Sequence, residues 1–399
     1  MENSERDLAE SLVEVVVERV LPGGLGLAHF DGRTIFVSLS APGDRLRVKI
    51  ERVKGNVAFA AINEILEPSS VRIEPPCPYF GRCGGCDFQQ MNYASQLDGK
   101  AEMIRDCLRR IGGIENVPEF SLTPAPNEWH YRSRAQWQYD AVQRRLGYFE
   151  SGSRNVCDVA ECAVLAPELQ STLTSLREQM EQGALPDDAR DFRAVVGDGE
   201  VSISPNVSDI TRTIAGETYR LNAESFFQTN ADLLPQLIEA ALHDAQGERA
   251  LELYCGVGLL TIPLARKFTS VVGVESDSAA VKFAQSSLGL AGLSNTKIAR
   301  EDVGTWLASN EQNLRSGAPD FLLLDPPRTG AESRVIAGIL GFKPKRICYV
   351  SCDPATLARD LKKLIAGGYS LDSIVAFDMF PQTHHVETVV HLVLAQSVD

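Results

Sequence analysis

The 399-residue sequence has no apolar run approaching the ~18 residues that span a bilayer, so no membrane-spanning helix and no membrane partner are expected. Its start, MENSERDLAE, is polar and acidic and lacks a signal-peptide pattern, which predicts a cytoplasmic protein. A surplus of positive charge is also missing. Net charge is -14, a balance that taken alone disfavours a polyanionic partner. No long internal repeat or low-complexity tract is evident. The nine cysteines are an odd number, and in a cytosolic chain disulfides are not expected. Those thiols are therefore expected to be buried, metal-bound or catalytic. Nothing calls for an obligate protein partner, and a monomer is expected.

What is present divides into three textures. With 44% hydrophobic and 23% charged residues the chain is an ordinary globular one, and its length predicts two or three domains. Residues 11 to 66 read as five short strands, LVEVVVERVL, GLGLAHF, RTIFVSLS, DRLRVKIERVK and NVAFAAINEIL, separated by Pro-Gly and Asp-Gly turns. An oligonucleotide-binding type of barrel and a plain β-sandwich both satisfy that pattern. Residues 69–215 are irregular, with a Cys- and Pro-rich loop, a helical stretch, and an arginine- and aromatic-rich segment, EWHYRSRAQWQYD. From 216 to 399, apolar runs such as ALELYCGVG, VVGVES, FLLLDPP and ICYVSC alternate with helical patterns, which predicts a doubly wound α/β domain. Arg105, Arg109, Arg110, Arg132, Arg134, Arg144, Arg145 and Arg154 gather mid-chain, so a local basic patch keeps nucleic acid in play.

Cys77-x5-Cys83-Gly-Gly-Cys86 brings three thiols into one glycine-rich loop, and Cys162 or Cys157 could supply a fourth. Zinc sites usually show two short-spaced pairs. The three-plus-one spacing favours an iron–sulfur cluster.

LELYCGVGLL is a strand, a glycine turn and a helix start, in which Gly256 and Gly258 let a ligand approach the backbone. Thr261 occupies the place of a dinucleotide fingerprint's third glycine. Glu275 ends the next strand and can take both hydroxyls of a ribose; Asp302, at the following strand end, can meet an adenine amine. That order fits S-adenosylmethionine better than NAD. Asp325 opens DPPRTG at a further strand end, where a flat base edge can be received. In RICYVSCDPATLARDL, Cys348 sits inside a strand and reads as core. Cys352 ends that strand, with Asp353 a candidate N-cap and Pro354 a natural first helical residue. The helix start lowers a thiol pKa, and Asp353 works against it. His384-His385-x-Glu387 lacks the spacing of a helical zinc motif, and its histidines are expected to flank a base or bind phosphate.

Taken in order, the cysteine loop, ELYCGVG, LLLDPPRTG, YVSCDPATLARDL and HHVETVV resemble the RNA uracil-5-methyltransferases, chiefly the branch acting on 23S ribosomal RNA. The likeness runs through nearly the whole chain and implies three domains. These are a TRAM-like RNA-binding barrel (1–68), a central iron–sulfur α+β domain (69–215) and a Rossmann-like methyltransferase domain (216–399). It implies Cys352 as nucleophile and Glu387 as general base. By the same likeness, Cys77, Cys83, Cys86 and Cys162 would hold a [4Fe-4S] cluster. Gln228, Tyr254, Glu275 and Asp325 would contact S-adenosylmethionine, with Asp302 near the adenine and Gly256 and Gly258 in the cofactor turn. Leu259 departs from the polar residue often found after the second glycine. The expected reaction is methylation of uridine carbon 5 in 23S rRNA through a covalent cysteine adduct. Methylation of tRNA by the same chemistry, or a non-catalytic iron–sulfur RNA-binding protein, are the rival readings. Phe88, Trp129 and Trp137 are candidates to stack on bases, although such residues are more often core.

Overall fold

A computed structural model of the protein describes residues 10–186 and 188–395, so most of the polar start MENSERDLAE lies outside the described residues. The N-terminal unit is a six-stranded sheet rather than five strands. The run LVEVVVERVL breaks after Val16, giving strands Leu12–Val16 and Arg19–Val20. Its first half pairs with Arg45–Lys54 and its second half with Leu25–Phe30. One bent segment thus supplies both edges of the sheet and closes it into a barrel. Alternate residues (Val13, Val15, Ile35, Val37, Leu46, Val48, Ile50) point inward and are buried.

The middle of the chain forms a five-stranded antiparallel sheet from Arg134–Asp140, Arg145–Phe149, Val156–Asp158, Asp191–Val196 and Val201–Ile203. The helix Pro167–Glu181 lays Leu169, Leu173, Leu176 and Met180 over its Trp137 and Phe192.

The C-terminal unit is an eight-stranded sheet. Its parallel part runs Thr296–Arg300, Phe268–Glu275, Gly247–Leu253, Phe321–Leu324, Arg346–Ser351. Glu387–Leu394 then inserts antiparallel beside Arg346–Ser351, with Tyr369–Phe377 outside it. Strand order reverses between Gly247–Leu253 and Phe321–Leu324, which opens a crevice at their carboxyl ends.

The division at residue 216 does not match the packing. Ser121–Thr123 pairs parallel with Tyr369–Phe377 as the last strand of the C-terminal sheet. The helix Tyr93–Arg110 buries Ile104, Cys107 and Leu108 in that domain's core beside Leu357 and Leu361. Met103 on the same helix packs instead with Phe88 and Met91, so the helix joins the cysteine-bearing segment to the catalytic core. No helix among the described residues is long and apolar enough to cross a membrane.

Candidate active site

All five parallel strands end at one edge, and the polar residues of the motifs collect there. The chain leaves Leu253 as Tyr254, Leu324 as Asp325 and Ser351 as Cys352, while Phe268–Glu275 ends on its glutamate. Glu387 starts its antiparallel strand at the same edge. Ser351 pairs with Thr388, so Cys352 and Glu387, each one residue farther out, oppose one another.

Local sequence explains the nucleophile's setting. Asp353 caps the helix Pro354–Ala366 by accepting the Thr356 N–H at 2.7 Å, and Pro354 opens it. Cys348 is wholly buried in the core, as its place within the strand predicts. The helix terminus does not win the contest over the Cys352 thiol. Burial, then Glu387, push it up to about 12, with Asp325 and Asp353 adding to the rise and Arg328 pulling it back. Glu387 is 1% exposed, and burial and Asp325 raise its carboxyl well above the ordinary range, again opposed by Arg328. Burial lifts Asp325 to about 7. Two carboxyls and a thiol therefore share one dry site with a single guanidinium, Arg328, acting on both Cys352 and Glu387. Among the described residues Glu387 Oε1 has no hydrogen-bond partner, as a group awaiting a ligand would be.

The loop carrying Asp325 and Arg328 is clamped from beneath. Asp360 Oδ2 accepts the Ala331 N–H at 2.9 Å and the Tyr349 hydroxyl at 2.8 Å. Arg359 donates to Thr329 O at 3.1 Å and Thr356 Oγ1 to Arg328 O at 3.2 Å. Gly330, at φ +75°, lies where a Cβ would stand 2.7 Å from Asp360 Oδ2, so no side chain fits.

On the cofactor side, Gly256 (φ +53°) leaves open space where a Cβ would be, and Tyr254 itself adopts φ +64°. A tyrosine in that left-handed region is strained, and such strain collects at ligand sites. Glu275 Oε2 accepts the Gly256 N–H at 3.1 Å, and Oε1 accepts the N–H groups of Ser276 and Asp277 at 2.7 and 2.8 Å. The same carboxylate expected at a ribose thus ties the glycine turn to the neighbouring strand end. Asp302 caps the helix Val303–Ser316, accepting the Thr305 N–H at 2.9 Å, and pairs with Arg334 at 3.1 Å. Those bonds hold its carboxyl below the usual range. Gln228 is buried on a segment fastened by the Ser133 N–H to Thr229 O at 2.8 Å.

Glu252 is a site residue that sequence reasoning misses. It is buried in the strand Gly247–Leu253, accepts the Thr261 hydroxyl at 2.5 Å, and is raised to about 8 by burial. Its one signal is an acid inside the apolar run ALELYC, and Thr261, in place of a third glycine, is its partner.

Cys77, Cys83, Cys86 and Cys162 line one cavity with Tyr79, Phe80, Tyr148, Val159 and the stem of Arg132. Cys157 is not in that lining; it is buried on a strand, where its sulfur takes an Arg82 Nε–H at 3.2 Å. Burial pushes Cys83 up to about 11 and Cys86 up to about 12. Among the described residues no three His, Cys, Asp or Glu groups close around a single metal ion.

Comparison with known proteins gives the family. Residues 206–395 match the tRNA (Uracil-5-)-methyltransferase family model, and residues 11–62 match the TRAM domain. A 23S rRNA (uracil(1939)-C(5))-methyltransferase of Pectobacterium atrosepticum is 33% identical, over 94% of this chain and 92% of its own. This chain belongs to the RNA uracil-5-methyltransferase family. An RNA methyltransferase of Thermosynechococcus vestitus is 32% identical over 94% of this chain and 97% of its own. Among solved structures, Pyrococcus abyssi tRNA (uracil-54, C5)-methyltransferase in complex with S-adenosyl-L-homocysteine superposes with TM-score 0.73 and 26% identity, covering 95% of this chain and 100% of that one. The methyltransferase is therefore an S-adenosylmethionine-dependent enzyme with an N-terminal TRAM domain and a Rossmann-like catalytic domain.

Some expectations about its RNA grip need correction. Phe88 and Trp137 are 0% exposed and belong to packed cores, so neither can stack on a base. Trp129 is half-buried. Phe226 is the aromatic that stands out: 62% exposed, two residues before Gln228, with the Arg134 guanidinium 5.8 Å from its ring centroid. The mid-chain arginines are dispersed: Arg144 caps carbonyls of Met180 and Glu181, and Arg110 pairs with Asp106. On the TRAM domain of the methyltransferase, Arg45 and Arg47 are neutralised by Glu14, Glu64 and Glu67.

Proposed function

We propose that the enzyme methylates carbon 5 of a uridine in 23S rRNA through a covalent adduct on Cys352, with Glu387 as general base. The observation that carries this reading is that Cys352 and Glu387 flank the paired strand ends Ser351 and Thr388, close enough to act on one another, with Asp325 and Arg328 acting on both. Carbon 5 of uracil is too weak a nucleophile to take a methyl group unaided. The Cys352 thiolate adds to carbon 6, and the electron pair of the 5,6 double bond moves into an enolate. Carbon 5 then takes the methyl group that S-adenosylmethionine supplies, as the sulfonium bond to that carbon breaks. Glu387 removes the carbon 5 proton, the double bond re-forms and the thiolate leaves carbon 6. Splitting one hard substitution into addition, transfer and elimination is covalent catalysis. Arg328 lowers both the thiol and the carboxyl, so it favours the anionic forms each step requires. A uridine within folded RNA must leave its stack to reach both groups, and Phe226 with Arg134 forms a platform on which a neighbouring base can rest.

For the cofactor, Gln228, Tyr254, Gly256, Gly258, Glu275, Asp302 and Asp325 form the binding set. Glu275 meets the ribose through lone pairs beyond those its loop bonds use, and Asp302 meets the adenine through Oδ2, since its own bonds go to Oδ1.

Cys77, Cys83, Cys86 and Cys162 are assigned as the ligands of a [4Fe-4S] cluster. The residues fit such a group: four thiols in one cavity with aromatic and aliphatic walls, spread more widely than a single ion allows. A bound cluster would cross-link the loop 77–86 to Cys162, and no step of methyl transfer requires its electrons.

The deciding experiment incubates the protein and S-adenosylmethionine with 23S rRNA containing 5-fluorouridine, whose fluorine cannot leave as a cation. A covalent complex that disappears in Cys352→Ala is expected; one that survives this change overturns the mechanism. Labelled methyl found in tRNA and not in 23S rRNA overturns the substrate.

A further inference from the structure

The connection from Tyr369–Phe377 to Glu387–Leu394, residues 378–386, is held almost entirely by the part of the chain that carries the cysteines. Buried Lys100 donates to Asp378 Oδ1 at 2.5 Å and to Phe380 O at 3.0 Å. Tyr131 donates to Pro381 O at 2.9 Å. Gln96 bonds Gln382 twice, through its amide side chain at 2.9 Å and the Gln382 N–H at 3.0 Å. The N–H groups of Asp87 and Phe88 both donate to Gln382 O at 3.1 Å. Finally, Asp87 receives the His384 N–H at 2.8 Å and the His384 Nδ1 at 2.5 Å. Asp87 directly follows Cys86.

This segment leads into Glu387, whose Oε1 has no hydrogen-bond partner among the described residues. With that oxygen unheld, the position of the carboxylate follows from the backbone that delivers it and the packing around it. That backbone includes Gln382 at φ +68°, a conformation a glutamine keeps only when surroundings hold it. Asp87 is itself wedged, since a Cβ on Gly24 of the TRAM domain would stand 2.6 Å from its Oδ2.

Resting on the reading of Glu387 as general base, we propose that Asp87 is a positioning residue. Through His384 it fixes the base, so that the order of the cysteine loop is transmitted to the proton-removal step and not to the nucleophilic one. Cys352 is delivered by a different strand and helix, and none of these straps touches it. The loop and the base are thus coupled selectively. Disturbing the loop leaves attack at carbon 6 intact and impairs release.

The test uses the full-length protein with its cluster, labelled S-adenosylmethionine and two RNAs, one unmodified and one with 5-fluorouridine. Glu387→Gln is expected to accumulate a methyl-labelled, denaturant-stable complex with unmodified RNA. Asp87→Ala and His384→Ala are expected to accumulate the same complex while turnover falls about 10-fold. Their rate of complex formation with 5-fluorouridine RNA should stay within about twofold of the unaltered protein. Asp87→Asn, which keeps an acceptor for the His384 N–H, should restore most of the turnover and guards against a folding defect. Hydrogen exchange in residues 378–386 should rise in Asp87→Ala in the absence of RNA. The proposal is overturned if Asp87→Ala slows attack and turnover equally, or leaves exchange in that segment unchanged. Absence of the trapped complex in Glu387→Gln itself would instead overturn the general-base assignment.

Discussion

Replacing Glu387 by glutamine should awaken the thiol it faces. Residues directly opposed on neighbouring strands carry Cβ atoms about 4.5–5.5 Å apart, and Cys352 and Glu387 each lie next to such a pair, Ser351 and Thr388. Once the raised Glu387 carboxyl has itself ionised, two unit charges about 5 Å apart at an effective dielectric of about 20 repel by roughly 3 kcal/mol, which is about 2 pKa units. Removing that repulsion brings Cys352 down from about 12 and raises the thiolate population at pH 9 roughly 100-fold. A less basic thiolate is a poorer nucleophile, by a Brønsted coefficient of about 0.4–0.5. That returns about tenfold and leaves a net gain of about tenfold. Alkylation of the free protein by iodoacetamide, followed at Cys352 by peptide mass spectrometry from pH 7 to 10, measures this directly. Unaltered protein should react slowly at pH 7, with a rate that climbs about tenfold per pH unit. Glutamine is close in size and keeps access to the sulfur unchanged. Rapid alkylation of Cys352 at pH 7 with a flat profile, or a slower reaction in Glu387→Gln, would refute this account of the thiol.

Other expectations follow from the same groups. Arg328→Leu should act in the opposite sense, slowing Cys352 alkylation at every pH in that range, because the cation that pulls the thiol down is gone. In the cofactor-free protein, burial keeps Glu252 at about 8 and Asp325 at about 7, so the native state holds protons that the unfolded chain releases near pH 4. Stability is then greatest in mild acid and falls as pH rises from about 5 to about 9; melting temperatures across that range should show the slope, and Glu252→Gln should flatten it. Phe226→Ala should leave the melting temperature unchanged and weaken RNA binding by about 1–3 kcal/mol in a salt-controlled titration, as loss of one stacked base does. Phe88→Ala, which empties a wholly buried site, should cost about 3–5 kcal/mol of stability in urea unfolding.

Chemistry carried within one short stretch is legible in the sequence itself. The strand-to-helix passage around Cys352 needs only neighbours: an apolar run ends it on one side, and Asp353 and Pro354 start the helix on the other. The doubly wound domain is legible for the same reason, each apolar run marking its own strand. What escapes lies in pairings between distant residues. Lys100 and Asp378 are 278 residues apart, and Asp87 and His384 are 297 apart. Nothing in the period of a helix or strand names such a partner. The bend after Val17 is hard to see because LVEVVVERVL is valine-rich throughout, and its only trace is the adjacent Glu18-Arg19 pair that shifts the buried positions from Val13, Val15 and Val17 to Val20. Phe88 and Trp137 mislead in part because aromatic side chains serve cores and base stacking equally well, and burial alone separates the two uses.

The short strand Ser121–Thr123 limits how this protein can be rearranged. Because it covers the Val375–Phe377 end of the outer strand of the catalytic sheet, a gene fragment beginning at residue 216 would leave the amide and carbonyl groups of that stretch bare. Such an edge recruits strands from other molecules. Recombination that swaps the C-terminal half alone, or a split-protein reporter cut between the halves, should produce aggregates. A cut placed before Tyr93 keeps that stretch covered and retains the helix Tyr93–Arg110 in the core.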